Sequence, residues 1–225
     1  MHRPIKSRLN RLRRPAPRGL LRRRRPVSRN WGFDRGTPVD RHFIEAFLTD
    51  QGQHIRGRVL EVKDDEYTQR HGTAVDACDV LDVDADNPHA TVIADLTDAP
   101  GIGNDTYDCI ILTQVLHLVY DLQAAVRECE RILRPGGTLL ATVPALSRMS
   151  RELRATDFWR LTPTGAERVF GDVFGQDRVD VHGHGNAVLC SAFLLGVAAE
   201  EVSRRQLRRH DPLFPLVVTV RATKG

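Results

Sequence analysis

From residue 58 to residue 144 the chain alternates short apolar runs with segments of helix length, and that alternation leaves few folds open. "RVLEV" (58–62) reads as a buried strand, and "TAVDACDV" (73–80) is a weaker, alternating one. "ATVIADL" (90–96), "YDCIILT" (107–113) and "GTLLATVP" (137–144) follow as further strands. Between the last two lies "DLQAAVRECERILRPGG" (121–137). There Leu122, Ala125, Val126, Cys129, Ile132 and Leu133 share a helix face, Asp121 stands as a cap, and Pro135-Gly136-Gly137 ends the helix. Strand–helix alternation of this kind predicts α/β architecture: a doubly wound, mostly parallel sheet with right-handed crossovers.

The flanks complete that sheet. "RGTPVDRHFIEAFLTD" (35–50) predicts a helix started by a Thr37 cap and Pro38 at the first helical position, with Val39, Phe43, Ile44, Phe47 and Leu48 on its apolar face. After residue 160, "TPTGAERVFGDVF" (162–174) reads as a helix and "RVDVHG" (178–183) as a strand. Residues 187–209 read as one helix with a charged end, and "FPLVVTVRATK" (214–224) as a closing strand.

Charge divides the chain in two. Twelve of the 33 basic residues and none of the 29 acidic ones lie in residues 1–30, so the rest carries a net charge of −8. The sequence predicts a disordered basic arm over 1–30 and one folded domain over 31–225. The arm lacks the apolar core of an export signal. It can touch nucleic acid, anionic lipid or an acidic partner, although a solvated tail in an arginine-rich chain is the plainer reading. The four cysteines form no C-x-x-C pair, which suggests reduced thiols in a cytoplasmic protein and neither a disulfide frame nor a metal site. "AVLCSAFLLGVAA" (187–199) is too short to span a bilayer and reads as a buried helix.

In an open parallel sheet, ligands bind beyond the carboxyl ends of the strands, where strand order reverses. Here those ends carry acids: Glu61 on the first strand, Asp79 on the second, Asp95 on the third. The fourth ends at Thr113-Gln114, with His117 shortly after. A carboxylate after the second strand can accept both hydroxyls of a ribose, and one after the third can accept an adenine amino group. Glu61 can act on the ammonium of an amino-acid tail, directly or through the backbone. An Asp after a strand also serves as a plain turn former. The opening loop "LEVKDDEYT" (60–68) has no glycine, and Asp64, Asp65 and Glu66 would repel a pyrophosphate, which disfavours NAD and FAD. S-adenosylmethionine carries no phosphate and tolerates such a loop.

Residues 31–225 resemble class I S-adenosylmethionine-dependent methyltransferases. The match is strongest over "YDCIILTQVLHLVYDLQAAVRECERILRPGGTLLATVP" (107–144), which is similar to that superfamily's fourth strand, helix, "L-K-P-G-G" turn and fifth strand. "RGTPVDRHFIEAFL", "TDFWRLTPTGAERVF" and "GNAVLCSAFLLGVAAEEV" resemble a bacterial branch of small methyltransferase domains, some of which occur beside glycosyltransferases. The resemblance implies a seven-stranded Rossmann-like sheet with helices on both faces and S-adenosylmethionine as cofactor. It implies Glu61 near the methionine portion, Asp79 on the ribose, Asp95 with the Leu96 amide on the adenine, and Thr113 and Gln114 near the sulfonium. The family's three motif I glycines are replaced here by Lys63, Asp65 and Tyr67, and the narrower branch keeps a glycine where Lys63 stands. Lys63 can therefore weaken binding or reach the methionine carboxylate.

Methyl transfer mainly requires alignment of acceptor, methyl and sulfur, and an acceptor that loses a proton benefits from a base. His117 is the candidate base, with a packed structural histidine as the alternative. Trp159 and Arg160 in "DFWRLT" can stack on and anchor an acceptor, or seal the core and form an ion pair. Asn186 is expected to line the pocket, and Arg35, Asp40 and Arg41 to belong to a lid. His182 and His184 lie on one strand face but lack an evident third metal ligand. The turn "LTQVLH" is unlike the Asn- or Asp-Pro-Pro-aromatic turn of nucleobase amino methylation in the superfamily. The leading expectation is methylation of a small-molecule acceptor, an oxygen of a sugar or secondary metabolite. A non-catalytic relative with a decayed cofactor loop, acting through its arm or surface, is the alternative.

Overall fold

The computed structural model describes residues 25–225. The arm lies almost entirely outside these residues. Its last part joins the body: the Val27 and Ser28 amides both donate to the Leu195 carbonyl.

Seven strands form one sheet: β1 (Arg56–Val62), β2 (Ala74–Asp82), β3 (Val92–Ile93), β4 (Tyr107–Thr113), β5 (Leu133–Pro144), β6 (Val179–His184) and β7 (Val217–Thr223). Their order is β3-β2-β1-β4-β5-β7-β6. β7 runs antiparallel to both neighbours, and all other pairs are parallel. The six α-helices of the described residues are α1 (Val39–Asp50), α2 (Glu66–His71), α3 (Leu122–Ile132), α4 (Pro163–Phe174), α5 (Ala187–Leu195) and α6 (Arg204–Arg208). The doubly wound, mostly parallel architecture is present as the alternation predicted.

Period-two alternation divides the core between the two faces. Leu60, Ile110, Leu112, Leu139, Val218 and Val220 face one side, with α3 and α4 residues such as Val126, Cys129, Ile132 and Phe170. Their neighbours Val59, Cys109, Ile111, Leu140 and Val217 face the other, against Ile44 and Leu48 of α1 and Tyr67 of α2. Burying one such side chain contributes about 1.5–3 kcal/mol, so the stacked rows hold the strand tips in register.

Several local expectations are corrected. β2 runs on to Asp82, because Val80 and Leu81 remain buried beyond the alternating part. The third strand shrinks to Val92–Ile93 at the sheet edge. Thr37 does not cap α1: its hydroxyl donates to Glu200 Oε1 at 2.7 Å, and Pro38 is the residue before the helix. The helix expected over 187–209 breaks at Gly196. That residue is left-handed at φ 72°, and a Cβ there would stand 2.5 Å from the Ser28 carbonyl oxygen. α5 is half-buried, with Leu189 and Phe193 inside and Val188 and Leu194 exposed. Asp121 and Thr162 do cap α3 and α4, accepting from the Ala124 and Gly165 amides.

Candidate functional site

Strand order reverses between β1 and β4, so the tips of β1, β2, β3 and β4 adjoin at one carboxyl edge. Two non-glycine residues at this switch point hold left-handed backbones. Lys63, just after β1, has φ 79°, and Gln114, just after β4, has φ 55°. Such conformations are costly for L-residues and persist where surrounding bonds impose them. The bonds are present. The Lys63 amide donates to Leu81 O at 3.0 Å, and its carbonyl accepts from Asn87 Nδ2 at 2.8 Å. The Gln114 amide donates to Thr142 O at 2.9 Å.

Glu61 is buried at the end of β1 and turns onto the following loop. Its carboxylate accepts from the Tyr67 amide at 3.1 Å, the Thr68 amide at 2.8 Å and the Thr68 hydroxyl at 2.6 Å. Burial pushes its carboxyl up to about 7; the Thr68 donors oppose this, and Asp64 and Asp65 add to it. Glu61 thus braces the loop through its backbone.

The second strand presents a different acid from the one expected. Asp79 pairs in register with Leu60, three residues short of the β2 end. It is engaged by Arg58 at 2.7 Å and the Tyr107 hydroxyl at 3.0 Å. Asp82 occupies the tip. One oxygen accepts from Asn87 Nδ2 at 2.6 Å, the other from the Asp84 amide at 3.0 Å, and the Lys63 ammonium is among the charges holding its carboxyl low. The acid-rich "LDVDADN" after the buried Val80-Leu81 pair was the available signal for Asp82. At β3, Asp95 closes a turn by accepting from the Thr97 amide and hydroxyl, with Leu96 buried behind it.

His117 sits in a one-turn 3-10 helix after β4. Its side chain is 15% exposed, with Nε2 4.0 Å from Asp157 Oδ1. Nδ1 is buried without a hydrogen-bond partner among the described residues. Burial lowers its pKa to about 4, against the opposing pull of Asp157. Asp157, which the sequence reading did not single out, is gripped by both Arg160 nitrogens at 2.5 and 2.9 Å, and this holds its carboxyl low. Arg160 is therefore committed to an internal ion pair. The Phe158 and Trp159 amides donate to His117 O, and the Trp159 indole donates to Val119 O at 3.0 Å. This leaves Tyr120 and Phe158 in edge-to-face contact on the surface, 72% and 43% exposed.

Asn186, expected in the pocket, is consumed by structure. Its Oδ1 accepts from the Val188 and Leu189 amides and its Nδ2 donates to Gln206 O and Arg209 O, which uses all of its hydrogen-bonding groups. Of the expected lid residues, Arg41 lies over the Tyr67 ring at 5.2 Å and Arg35 pairs with Glu201. Burial raises the Asp40 carboxyl to about 6. The Tyr67 hydroxyl, beside the opening loop, is buried without a partner among the described residues. Orphaned polar atoms on both sides of the switch point, left-handed turns and tip carboxylates fit a polar, phosphate-free ligand laid across this edge.

Comparison with known proteins agrees. Residues 57–141 match the family described as "Methyltransferase domain". No curated protein sequence matches the chain. A SAM-dependent methyltransferase from Archaeoglobus fulgidus superposes with TM-score 0.55 at 12% identity, covering 81% of this chain and 94% of its own. An S-adenosylmethionine-dependent methyltransferase from Mesorhizobium loti gives 0.50 at 16% identity, covering 86% and 100%. The Haloferax volcanii complex of the Trm112 methyltransferase activator with a methyltransferase gives 0.52 at 14%, covering 83% and 93%. At these identities the likeness speaks for the fold, while the matched segment spans the strands that carry the site. Residues 57–141 thus match a methyltransferase domain, and the fold is the one these S-adenosylmethionine-dependent methyltransferases share. No helix among the described residues is long and apolar enough to cross a membrane.

Proposed function

We propose that this chain is an S-adenosylmethionine-dependent methyltransferase that modifies an oxygen of a small-molecule acceptor, a sugar or secondary-metabolite hydroxyl, with His117 as proton acceptor. The observation that carries this reading is the His117 environment: Nε2 4.0 Å from Asp157 Oδ1 and Nδ1 buried without a partner among the described residues, on a turn whose His117 carbonyl accepts from the Phe158 and Trp159 amides. With Nε2 protonated toward Asp157, Nδ1 keeps the lone pair. Once acceptor binding shifts the turn that buries it, Nδ1 takes the hydroxyl proton as the acceptor oxygen gains its methyl group, and releases it to solvent after the product leaves. Arg160 keeps Asp157 ionised and fixed, so Asp157 acts as a positioning residue. Tyr120 and Phe158 offer apolar surface for the acceptor's ring, and Trp159 anchors that ledge.

S-adenosylmethionine supplies a methyl group already activated by a positive sulfur. For its seat we assign Asp82, in place of the expected Asp79, to the ribose hydroxyls, and Asp95 with the Leu96 amide to the adenine. Glu61 holds the 63–68 loop against the methionine portion through the Tyr67 and Thr68 amides. The left-handed Lys63 turn does the work of the missing glycine. Thr113 and Gln114 line the region of the sulfur.

His117→Gln tests the reading with a panel of hydroxylated sugars and phenols as acceptors. Turnover should fall about 10²–10⁴-fold, with S-adenosylmethionine affinity unchanged. Turnover that survives the substitution removes His117 as base.

A further inference from the structure

Two concavities of the described residues lie away from the switch point, on the other half of the sheet. Asp180, His182 and His184 alternate along β6 on the face that α1 only partly covers. A cleft of about 370 Å³ runs there between Phe43, Phe47 and Asp50 of α1 and His182, His184, Thr219 and Arg221 of the sheet. A second, of about 290 Å³, shares Phe43, His182 and His184 and ends at Arg208, Arg209 and His210. β6 is three strands from β4, so the groove lies roughly 14 Å across the sheet from the proposed methyl-transfer site at ~4.8 Å per strand.

The two ends of the groove differ in charge. Asp50 and Asp180 line only the larger cleft, where Asp180 pairs with Arg221. No carboxylate lines the smaller cleft, and among the described residues Arg208 and Arg209 have no acidic partner. The neighbouring Asp211 carboxylate accepts from the Leu213 amide and stands outside that lining. Burial keeps His184 neutral, with a pKa near 4. The fixed positive charge is therefore that of the two arginines.

The walls are built rigidly. Asn186 Nδ2 holds the carbonyls of Gln206 and Arg209 at 2.9 and 2.7 Å, and the Asp211 amide donates to Gly185 O at 2.9 Å. Gly185, at φ 139°, lets the β6 end approach the chain before β7, where a Cβ would stand 2.8 Å from Phe214 O. The His184 ring is stacked on Phe43 and bonded to the Thr219 hydroxyl at 2.8 Å. A guanidinium pair with imidazole donors at one end, opening onto phenylalanine walls, matches a phosphoryl group attached to a carbon ring.

We propose that this groove is a second ligand site, for an organic phosphate whose phosphoryl group sits among Arg208, Arg209 and His210 and whose ring lies along Phe43. The site is independent of the proposed acceptor chemistry. Full-length protein titrated with phenyl phosphate, followed by amide NMR shifts, tests it against inorganic phosphate and phenol. Phenyl phosphate should shift the His182–Gly185 and Arg208–His210 amides saturably, with a Kd on the order of 1 mM. Inorganic phosphate should bind at least about tenfold more weakly and phenol should not bind. Arg208→Gln with Arg209→Gln, both exposed, should weaken phenyl phosphate at least about tenfold while the melting temperature and S-adenosylmethionine affinity stay unchanged. Shifts that do not saturate, that appear only in residues 1–30, or that persist undiminished in the double variant overturn the proposal. So does equal binding of inorganic phosphate or phenol. Because S-adenosylmethionine affinity is measured separately, failure here is distinguishable from failure of the cofactor seat.

Discussion

Lys63→Gly is the sharpest perturbation of the switch point. Lys63 stands where the superfamily has its first motif I glycine, and it holds φ 79° against its own preference. A left-handed L-residue costs about 1–2 kcal/mol. Glycine removes that cost but gives back ~0.5–1 kcal/mol of backbone entropy. The net expectation is a gain of up to about 1 kcal/mol, or a rise of ~1–4 °C in melting temperature for a chain of this size. Lys63 is exposed, and its backbone bonds to Leu81 and Asn87 do not involve the side chain, so no packing is lost. Lys63→Ala removes the same charge and keeps the strained backbone, and should therefore show no such rise. Differential scanning calorimetry of the three proteins reads the difference. Calorimetric titration should also show S-adenosylmethionine binding tightened severalfold in the glycine variant, because Asp82 loses a competing cation. Equal melting temperatures for the glycine and alanine variants, or a glycine variant less stable than the parent, would refute the argument from backbone strain.

Other outcomes follow from particular bonds. Asn186→Ala should destabilise by about 1–3 kcal/mol through the lost cap and the two unpaired carbonyls; denaturant melts check this, and S-adenosylmethionine affinity should not move. His117 has its pKa lowered from 6.5 to about 4. As pH falls through this window the unfolded chain takes the proton first, so this group costs stability that was intact above 6.5. His117→Gln should therefore lose on the order of 3 kcal/mol less than the parent between pH 6.5 and 4 in denaturant melts. A parallel loss in both proteins would contradict that assignment. Asp157→Asn should lower turnover and alter its pH profile while leaving S-adenosylmethionine affinity unchanged.

Much of the fold was legible because it rests on periodicity. The fourth strand falls on Tyr107–Thr113 as its uninterrupted apolar run implies, and Asp121 and Thr162 cap their helices. Single-residue placements were less legible because they depend on tertiary partners. Asp79 and Asp82 are both acids near one strand end, and only the pairing of β2 with β1 puts Asp82 at the tip. Thr37 looks like a cap until Glu200, distant in sequence, claims its hydroxyl. Gly196 breaks an apolar run of good helix formers because Ser28 crosses beside it. Asn186 had the polarity of a pocket residue, but the segment that uses its amide returns twenty residues later. Arg160 suits either an anchor or an ion pair by type alone, and the close Asp157 makes it the pair.

We propose that acids and left-handed turns at the tips of β1 to β4 seat a phosphate-free adenosyl ligand. Calorimetric titration of S-adenosylmethionine into the parent, Asp82→Asn and Asp79→Asn tests it most directly. The parent should bind with a Kd in the micromolar range. Asp82→Asn should weaken binding at least about tenfold, an estimate for losing a charged acceptor. Asp79→Asn should leave affinity unchanged and lower only stability. No binding by the folded parent, or a loss that follows Asp79 and spares Asp82, would rule this seat out.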